Sequence, residues 1–326
     1  MAKVDTKIEL AKILADGEFH SGEHLGKLFG VSRAAIANHI KSLSDLGLDI
    51  YSVSGRGYKL SKDIALLDSK AILNSCDNSL SVETHTVIDS TNEYLLKQIR
   101  DHNTLPDAHT VVAECQIAGR GRRGRVWQSP FGSHIYFSQY RIMEDGLSAA
   151  AGLSLAVGLA VKNACEQYTT ANIALKWPND VLSDNKKLAG ILIEAEGQSD
   201  GLCHLIIGIG INVDMPIKAG SEIDQPWTDM TMLSGQTIDR NRFVASLMNE
   251  LDKVVAEYRA SRLENLYKDW NANNAFKDSA VTISSNSQVK EGICKGIDSS
   301  GALLIQNTDS DKLEKLFGGE VSLRKR

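Results

Sequence analysis

The chain lacks the features that would place it outside the cell or in a membrane. Its five cysteines (Cys76, Cys115, Cys165, Cys203, Cys294) are scattered, odd in number and form no C-x-x-C pair. That excludes a disulfide scaffold or a zinc ribbon and points to reduced thiols in the cytoplasm. No apolar run is long enough to span a bilayer; the longest, 149–161, carries Ser and Gly, so no membrane partner is expected. The opening Met-Ala-Lys-Val-Asp-Thr-Lys has no signal-peptide apolar core. There is no internal repeat, no low-complexity tract and no G-x-x-x-x-G-K-[ST] phosphate cradle. A net charge of −5 argues against a general nucleic-acid coat and leaves room only for a local basic face. What is present is a globular composition, 42% hydrophobic and 24% charged, over 326 residues, enough for two or three domains.

The first 60 residues read as three helices and a hairpin. Residues 4–15 place Ile8, Ala11 and Leu14, or Leu10 and Ile13, on successive turns. Ser21 can cap a second helix that carries Leu25, Leu28 and Phe29 and stops at Gly30. Ser32 can cap a third, with Ala35, Ile36, Ile40, Leu43 and Leu46 inward and Gly47 as its stop. A hairpin follows: Ile50 to Val53, the turn Ser54-Gly55-Arg56-Gly57, then Tyr58 to Leu60. This is the pattern of a winged helix-turn-helix. Residues 27–62 hold six basic residues (Lys27, Arg33, Lys41, Arg56, Lys59, Lys62) against Asp45 and Asp49, so positive charge gathers on the third helix and wing. Arg33, Asn38, His39 and Lys41, with Ala34 and Ala35 beside them and Arg56 in the wing, are the candidate DNA contacts. Arg and Asn suit base edges, and Lys suits phosphate. A three-helix protein-interaction module is the other reading of the same pattern.

The pattern changes near residues 61–69. Three domains are expected, at 1–64, 65–271 and 272–326. The middle one mixes a helix near 91–100, strands near 109–115 and 134–140, a helix at 148–168, and strands near 172–176, 188–196 and 203–213, an α+β order rather than regular βαβ. The last is strand-rich (280–283, 291–297, 302–305, 319–323) with polar turns, as in a small β-barrel.

Residues 119–130 (Gly-Arg-Gly-Arg-Arg-Gly-Arg-Val-Trp-Gln-Ser-Pro) are the most informative stretch. Arg120, Arg122, Arg123 and Arg125 repel one another unless an anion sits among them, and the glycines let the backbone move around a ligand. A solvated basic loop is one alternative. A dinucleotide turn is another, since Gly119, Gly121 and Gly124 satisfy G-x-G-x-x-G, with Glu144 and Asp145 about 20 residues on. Val126 to Gly132 is a poor helix start, however, and three arginines crowd the approach to a pyrophosphate. Four further motifs carry polar chemistry or close-approach signals: Asp89-Ser90-Thr91-Asn92, Lys176-Trp177-Pro178-Asn179-Asp180, Lys186 to Glu194, and Gly208-Ile209-Gly210-Ile211-Asn212-Val213. Each also has an ordinary explanation: N-capping, a self-capped turn, a solvated lysine, a bulge under close packing.

Their order is more telling than any one of them. Together with the winged helix and the terminal 318–324 segment, they resemble the bifunctional bacterial biotin protein ligases that also repress the biotin operon, over essentially the whole length. The resemblance implies a central class II synthetase-like catalytic domain and a C-terminal SH3-like barrel. It implies formation of biotinyl-5′-adenylate from biotin and ATP, and transfer of biotin to a lysine of the biotin carboxyl carrier protein. It also implies adenylate-dependent homodimerisation on operator DNA. By the same resemblance, Ser90, Thr91, Asn92, Gln116, Arg120, Gly121, Arg122, Lys187 and Gly190 belong to the biotin site. Arg122 and Lys187 would act in catalysis. Arg120, Arg123, Trp127, Lys176, Asn179, Asp180, Asn212, Trp227 and Arg324 would serve ATP or the adenylate, with Asp180 the expected Mg²⁺ contact. Trp227 lies in a segment, 214–236, expected to order on binding. A lipoate-type ligase and a biotin-sensing repressor without efficient catalysis are the competing functions.

Overall fold

The computed structural model describes residues 6–77, 80–197, 201–285, 288–308, 310, 312–317 and 322–325. The N-terminal helices α1 (Thr6–Leu14), α2 (Gly22–Phe29) and α3 (Arg33–Asp45) precede the hairpin β1 (Ile50–Val53) and β2 (Gly57–Leu60). Both expected caps form: Ser21 accepts from the His24 amide and Ser32 from the Ala35 amide, each at 3.1 Å. Gly30 ends α2 in the left-handed conformation, and Leu10, Ala11, Leu14, Leu25, Ile36, Ile40 and Leu43 form the buried core. Ala35 and Leu46 are only half-buried.

Then come α4 (Ser69–Leu73), β3 (Ser81–His85), α5 (Thr91–Arg100), β4 (His109–Ala113), β5 (His134–Met143), α6 (Leu153–Glu166), β6 (Ala174–Lys176), β7 (Asp180–Ser183), β8 (Lys186–Gly197) and β9 (Cys203–Asn212). Short α7 (Ile217–Gly220) and α8 (Met230–Ser234) lead to α9 (Arg240–Ser261) and α10 (Tyr267–Ala272). The helix expected from 148 is instead a 3₁₀ turn followed by α6, because Gly152 takes a left-handed conformation and resets the chain. Strands β3 to β9 make one seven-stranded sheet in the order β3-β4-β5-β9-β8-β7-β6. Only β3 and β4 pair in parallel, joined through α5.

Alternation along β9 decides which face is which. Leu205, Ile207, Ile209 and Ile211 point to the core shared with α6 and α9, whereas Ile206 joins Leu95, Leu96, Val111 and Tyr140 under α5. The same α5 face carries Gly208 and Gly210, two positions with no side chain. In register they lie between Ser138 and Tyr136 of β5 and Leu192 and Gly190 of β8. The sheet therefore has a bare floor at its centre, flanked by polar groups, and the cleft lies there.

The last strands, β10 (Ala280–Ser285), β11 (Gln288–Ile297), β12 (Leu303–Gln306), β13 (Leu313–Leu316) and β14 (Ser322–Lys325), pair antiparallel in the order β13-β12-β11-β10-β14. Val281, Ile283, Cys294, Ile297, Leu303, Ile305 and Leu323 continue the central core. The winged unit is also packed onto the centre: Phe131 and Cys115 enter its core, and the Phe131 amide donates to Leu46 O at 3.1 Å. The linker is pinned as well. Arg240 ion-pairs with buried Glu114 at 2.7 Å and donates to Ala65 O at 2.8 Å, while Glu114 accepts from the Leu67 amide. No helix among the described residues is long and apolar enough to cross a membrane.

Candidate functional site

A cleft of about 370 Å³ opens over the glycine floor. Every residue singled out from sequence for small-molecule binding or catalysis lines it, except Arg324, whose side chain lies outside the described part, as do residues 318–321.

At one end the start of α5 meets β5. Thr91 donates its amide and hydroxyl to Gln116 Oε1 at 2.9 and 3.2 Å. Gln116 Nε2 donates to Ser129 Oγ at 3.3 Å. Ser138 Oγ lies 2.6 Å from Thr91 Oγ1 and 2.5 Å from Asn92 Oδ1. Asn92 Nδ2 donates to Glu194 at 2.7 Å and to Leu192 O at 3.3 Å. Ser90 occupies the N-cap position but its side chain makes no cap hydrogen bond, so capping does not account for this buried hydroxyl. The end is thus a set of positioned hydroxyl and amide groups, able both to donate and to accept.

The other end is ionic. Asp180 at the start of β7 takes Lys187 Nζ on Oδ1 at 2.7 Å and Lys176 Nζ on Oδ2 at 3.1 Å, all three side chains less than one-fifth exposed. Burial pushes the Asp180 carboxyl up, but Lys187 and Lys176 outweigh it and hold the group below the ordinary carboxylate range. Both carboxylate oxygens of Asp180 therefore face ammonium groups. The carboxylate thereby positions the two ammonium groups.

The Arg/Gly loop closes over the cleft between these ends. The dinucleotide alternative fails here, because Arg122–Gly124 makes a three-residue 3₁₀ turn rather than opening a helix. Arg122 donates to Asn179 Oδ1 at 3.1 Å, and Asn179 donates to Ile191 O at 2.7 Å. Burial and the neighbouring Arg123 lower the Arg122 pKa against the pull of Asp180. Arg123, at φ 60°, and Arg125 are exposed at the rim. The Trp127 ring lies on the floor with Lys187 Nζ 5.5 Å from its centroid, and its Nε1–H is buried with no hydrogen-bond partner among the described residues.

The 214–236 segment is not a bare loop: it holds α7 and α8, and Trp227 donates to Gly220 O at 3.0 Å. Asn212 ties it to the site by donating to Lys187 O and Thr228 O at 3.3 and 3.0 Å. Reading by motif missed Ser138, the hub of the polar end, because a lone serine in an apolar strand carries no signal. It also missed Glu93 and Glu194, which pair with Arg120, and Leu323, which reaches the cleft from the C-terminal strands.

On the winged unit, Arg33, Ala34, Ala37, Asn38 and Lys41 form an exposed stripe on α3, while Ala35 and His39 are half-buried. Arg56 is exposed in the wing, its guanidinium stacked 4.0 Å above the Phe19 ring.

Comparison with known proteins gives three family matches along the chain: an HTH domain over residues 7–59, the biotin/lipoate A/B protein ligase family over 85–212, and the biotin protein ligase C terminal domain over 278–324. The bifunctional ligase/repressor BirA of Salmonella typhimurium is 40% identical over 324 residues, 99% of either chain. That of Escherichia coli is 39% identical over 97% of either. Among solved structures, a biotin protein ligase from Aquifex aeolicus in complex with biotin and ATP aligns with a TM-score of 0.63 at 26% identity, covering 76% of this chain and 99% of that one.

Proposed function

The chain belongs to the bifunctional biotin protein ligase/repressor family, and from that premise we propose that it activates biotin with ATP, transfers it to a carrier protein and represses transcription. The biotin carboxylate oxygen bonds to the α-phosphorus while pyrophosphate leaves, giving biotinyl-5′-adenylate. A lysine amine of a biotin carboxyl carrier protein then attacks the acyl carbon, and AMP leaves. The observation that carries the reading is the convergence, in one cleft, of a neutral polar end with a cationic end under a closing arginine loop.

Ser90, Thr91, Asn92 and Gln116 suit the ureido ring, whose carbonyl accepts and whose N–H groups donate. Gly190, Gly208 and Gly210 let Trp127 and Asn92 settle onto the sheet, so the thiophane ring and tail would lie against those side chains, with Gly121 in the lid. The first step brings two anions together and builds charge on the phosphoryl oxygens. Arg122 and Lys187 offset both effects. Lys176, Asn179 and Asp180 hold the phosphate side, Asp180 by fixing the two lysines. Trp127, Asn212, Trp227, Arg123 and Arg324 make up the adenylate side, with Arg120 at the base of the lid. A divalent cation arrives with the ATP phosphates as part of the substrate, and Asp180 is the carboxylate that would meet it. The closed loop keeps water from the mixed anhydride until the carrier lysine arrives.

In this reading residues 1–64 bind operator DNA through Arg33, Ala34, Ala35, Asn38, His39, Lys41 and Arg56. Residues 65–271 catalyse, and 272–326 close the five strands as an SH3-like barrel. The adenylate-bound chain forms a homodimer matched to a two-fold operator, and the protein works in the cytoplasm. The test is a pair of variants: Lys187→Ala and Arg122→Ala should keep the fold yet reduce adenylate formation at least about a hundred-fold, the scale for removing one transition-state partner. Unchanged yield from both would overturn the assignment. Carrier biotinylation and an adenylate-dependent operator shift test the two remaining activities separately.

A further inference from the structure

Arg120 does not turn its guanidinium toward the phosphate end of the cleft. Its Nη2 lies 2.9 Å from Glu93 Oε2 on α5 and 3.6 Å from Glu194 Oε1 on β8. Neither carboxylate is otherwise idle. Glu93 Oε1 also meets Arg100 Nη1 at 3.3 Å, and Arg100 donates through Nε to Glu196 at 2.6 Å. Glu194 Oε2 accepts from Asn92, the amide of the polar end, at 2.7 Å. Two of the loop's arginines therefore fasten it. Arg122 holds it to Asn179 on the cationic side, and Arg120 holds its base to two carboxylates carried on a helix and a strand.

The loop places four arginines within six residues, and pairing Arg120 outward lowers their mutual repulsion when the loop is shut. We propose that Glu93 and Glu194 are positioning residues, a latch that acts through Arg120 to keep the 119–130 loop closed and so sets how long an acyl-adenylate is retained before transfer. The proposal rests on the ligase reading of the cleft. It opposes the simpler role for Arg120, in which the guanidinium binds the ligand's anion directly. If that were its work, neutralising the two carboxylates would free Arg120 for the ligand and slow release. A latch gives the opposite sign.

The experiment uses the full chain loaded with biotinyl-adenylate, made from biotin and ATP. Release is followed by stopped-flow tryptophan fluorescence on chasing with excess biotin. Both carboxylates are partly exposed, so each pair is worth what surface ion pairs are worth. Glu93→Gln and Glu194→Gln should each speed release roughly two- to five-fold, and the double variant about ten-fold. The difference from the parent should shrink at high salt. In an Arg120→Gln background, Glu93→Gln should have no further effect; with Arg120 present, Glu93→Asp should keep more of the parent's retention than Glu93→Gln does. Unchanged or slower release in the double variant overturns the latch, as does an equal effect of Glu93→Gln with and without Arg120. Failure of the parent chain to form any adenylate would instead bring down the ligase reading, so the two failures are distinguishable.

Discussion

Gly208→Ala should damage the site from beneath. An added Cβ would sit 2.7 Å from Asn92 Nδ2 and 2.8 Å from Asn92 Cγ, and nearer still to Oδ1, so Asn92 must move. In its present place that side chain is bonded to Ser138 at 2.5 Å, Glu194 at 2.7 Å and Leu192 O at 3.3 Å. A net worth of about 1 kcal/mol per bond, more for the one to a carboxylate, less what water restores, puts the cost at about 2–3 kcal/mol. For a catalytic unit of this size that is roughly 5–10 °C in thermal midpoint. Displacing the amide should also weaken biotin binding about ten-fold or more. Asn92→Ala removes the same three bonds without a clash, so the two substitutions should not add: in an Asn92→Ala background, Gly208→Ala has the space it needs. Differential scanning calorimetry and titration calorimetry with biotin give both quantities. A Gly208→Ala protein with unaltered midpoint and affinity, or full additivity with Asn92→Ala, would refute the reasoning.

Asp180→Asn leaves two half-buried ammonium groups facing each other and should cost about 3 kcal/mol, read by chemical denaturation at pH 7. The folded Asp180 carboxyl titrates below its ordinary range, so its contribution is complete above the unfolded carboxylate pKa of about 3.9 and is lost as pH falls through the lower folded value. The variant should lack that loss. His134 is wholly buried and accepts from the Val213 amide at 3.0 Å; burial drives its pKa down to about 3. The unfolded imidazole binds a proton below about pH 6.5 that the folded one refuses. Stability should therefore fall by about 1.4 kcal/mol per unit as pH drops from 6.5, and His134→Gln should flatten the denaturation-versus-pH slope between pH 6.5 and 5. Arg56→Ala should weaken operator binding in gel-shift titrations for matched and mismatched sequences alike and reduce the salt slope by about 1.

The residues that motif reading could reach were those whose types are unusual where they stand: arginines among glycines, a Lys-Trp-Pro-Asn-Asp turn, two glycines in an isoleucine strand. The glycines left two explanations open in sequence. The register is regular at both, so neither is a bulge, and side chains of the chain itself take the space: Asn92 over Gly208 and the Trp127 ring over Gly210. Helix α9 is absent from the expected elements although its signal is present in the sequence: Asp239 caps it, and Phe243, Leu247, Met248, Leu251, Val254, Val255 and Tyr258 follow a helical period. Strands β3, β7 and β13 are short and lack a strong apolar alternation, so they were not separable from loops. A sequence does not say that two lysines, 4 residues before Asp180 and 7 after, converge on its carboxylate. Pairings across elements, such as Arg120 with Glu93 and Glu194, exist only once the sheet brings α5 and β8 to the same loop.

The central claim is that this cleft makes an acyl-adenylate. Purified full-length protein incubated with biotin, ATP and Mg²⁺, without carrier, should yield biotinyl-5′-adenylate by mass spectrometry, with lipoate in place of biotin giving none. Folded protein that binds biotin yet forms no adenylate would contradict the account and leave a biotin-sensing repressor in its place.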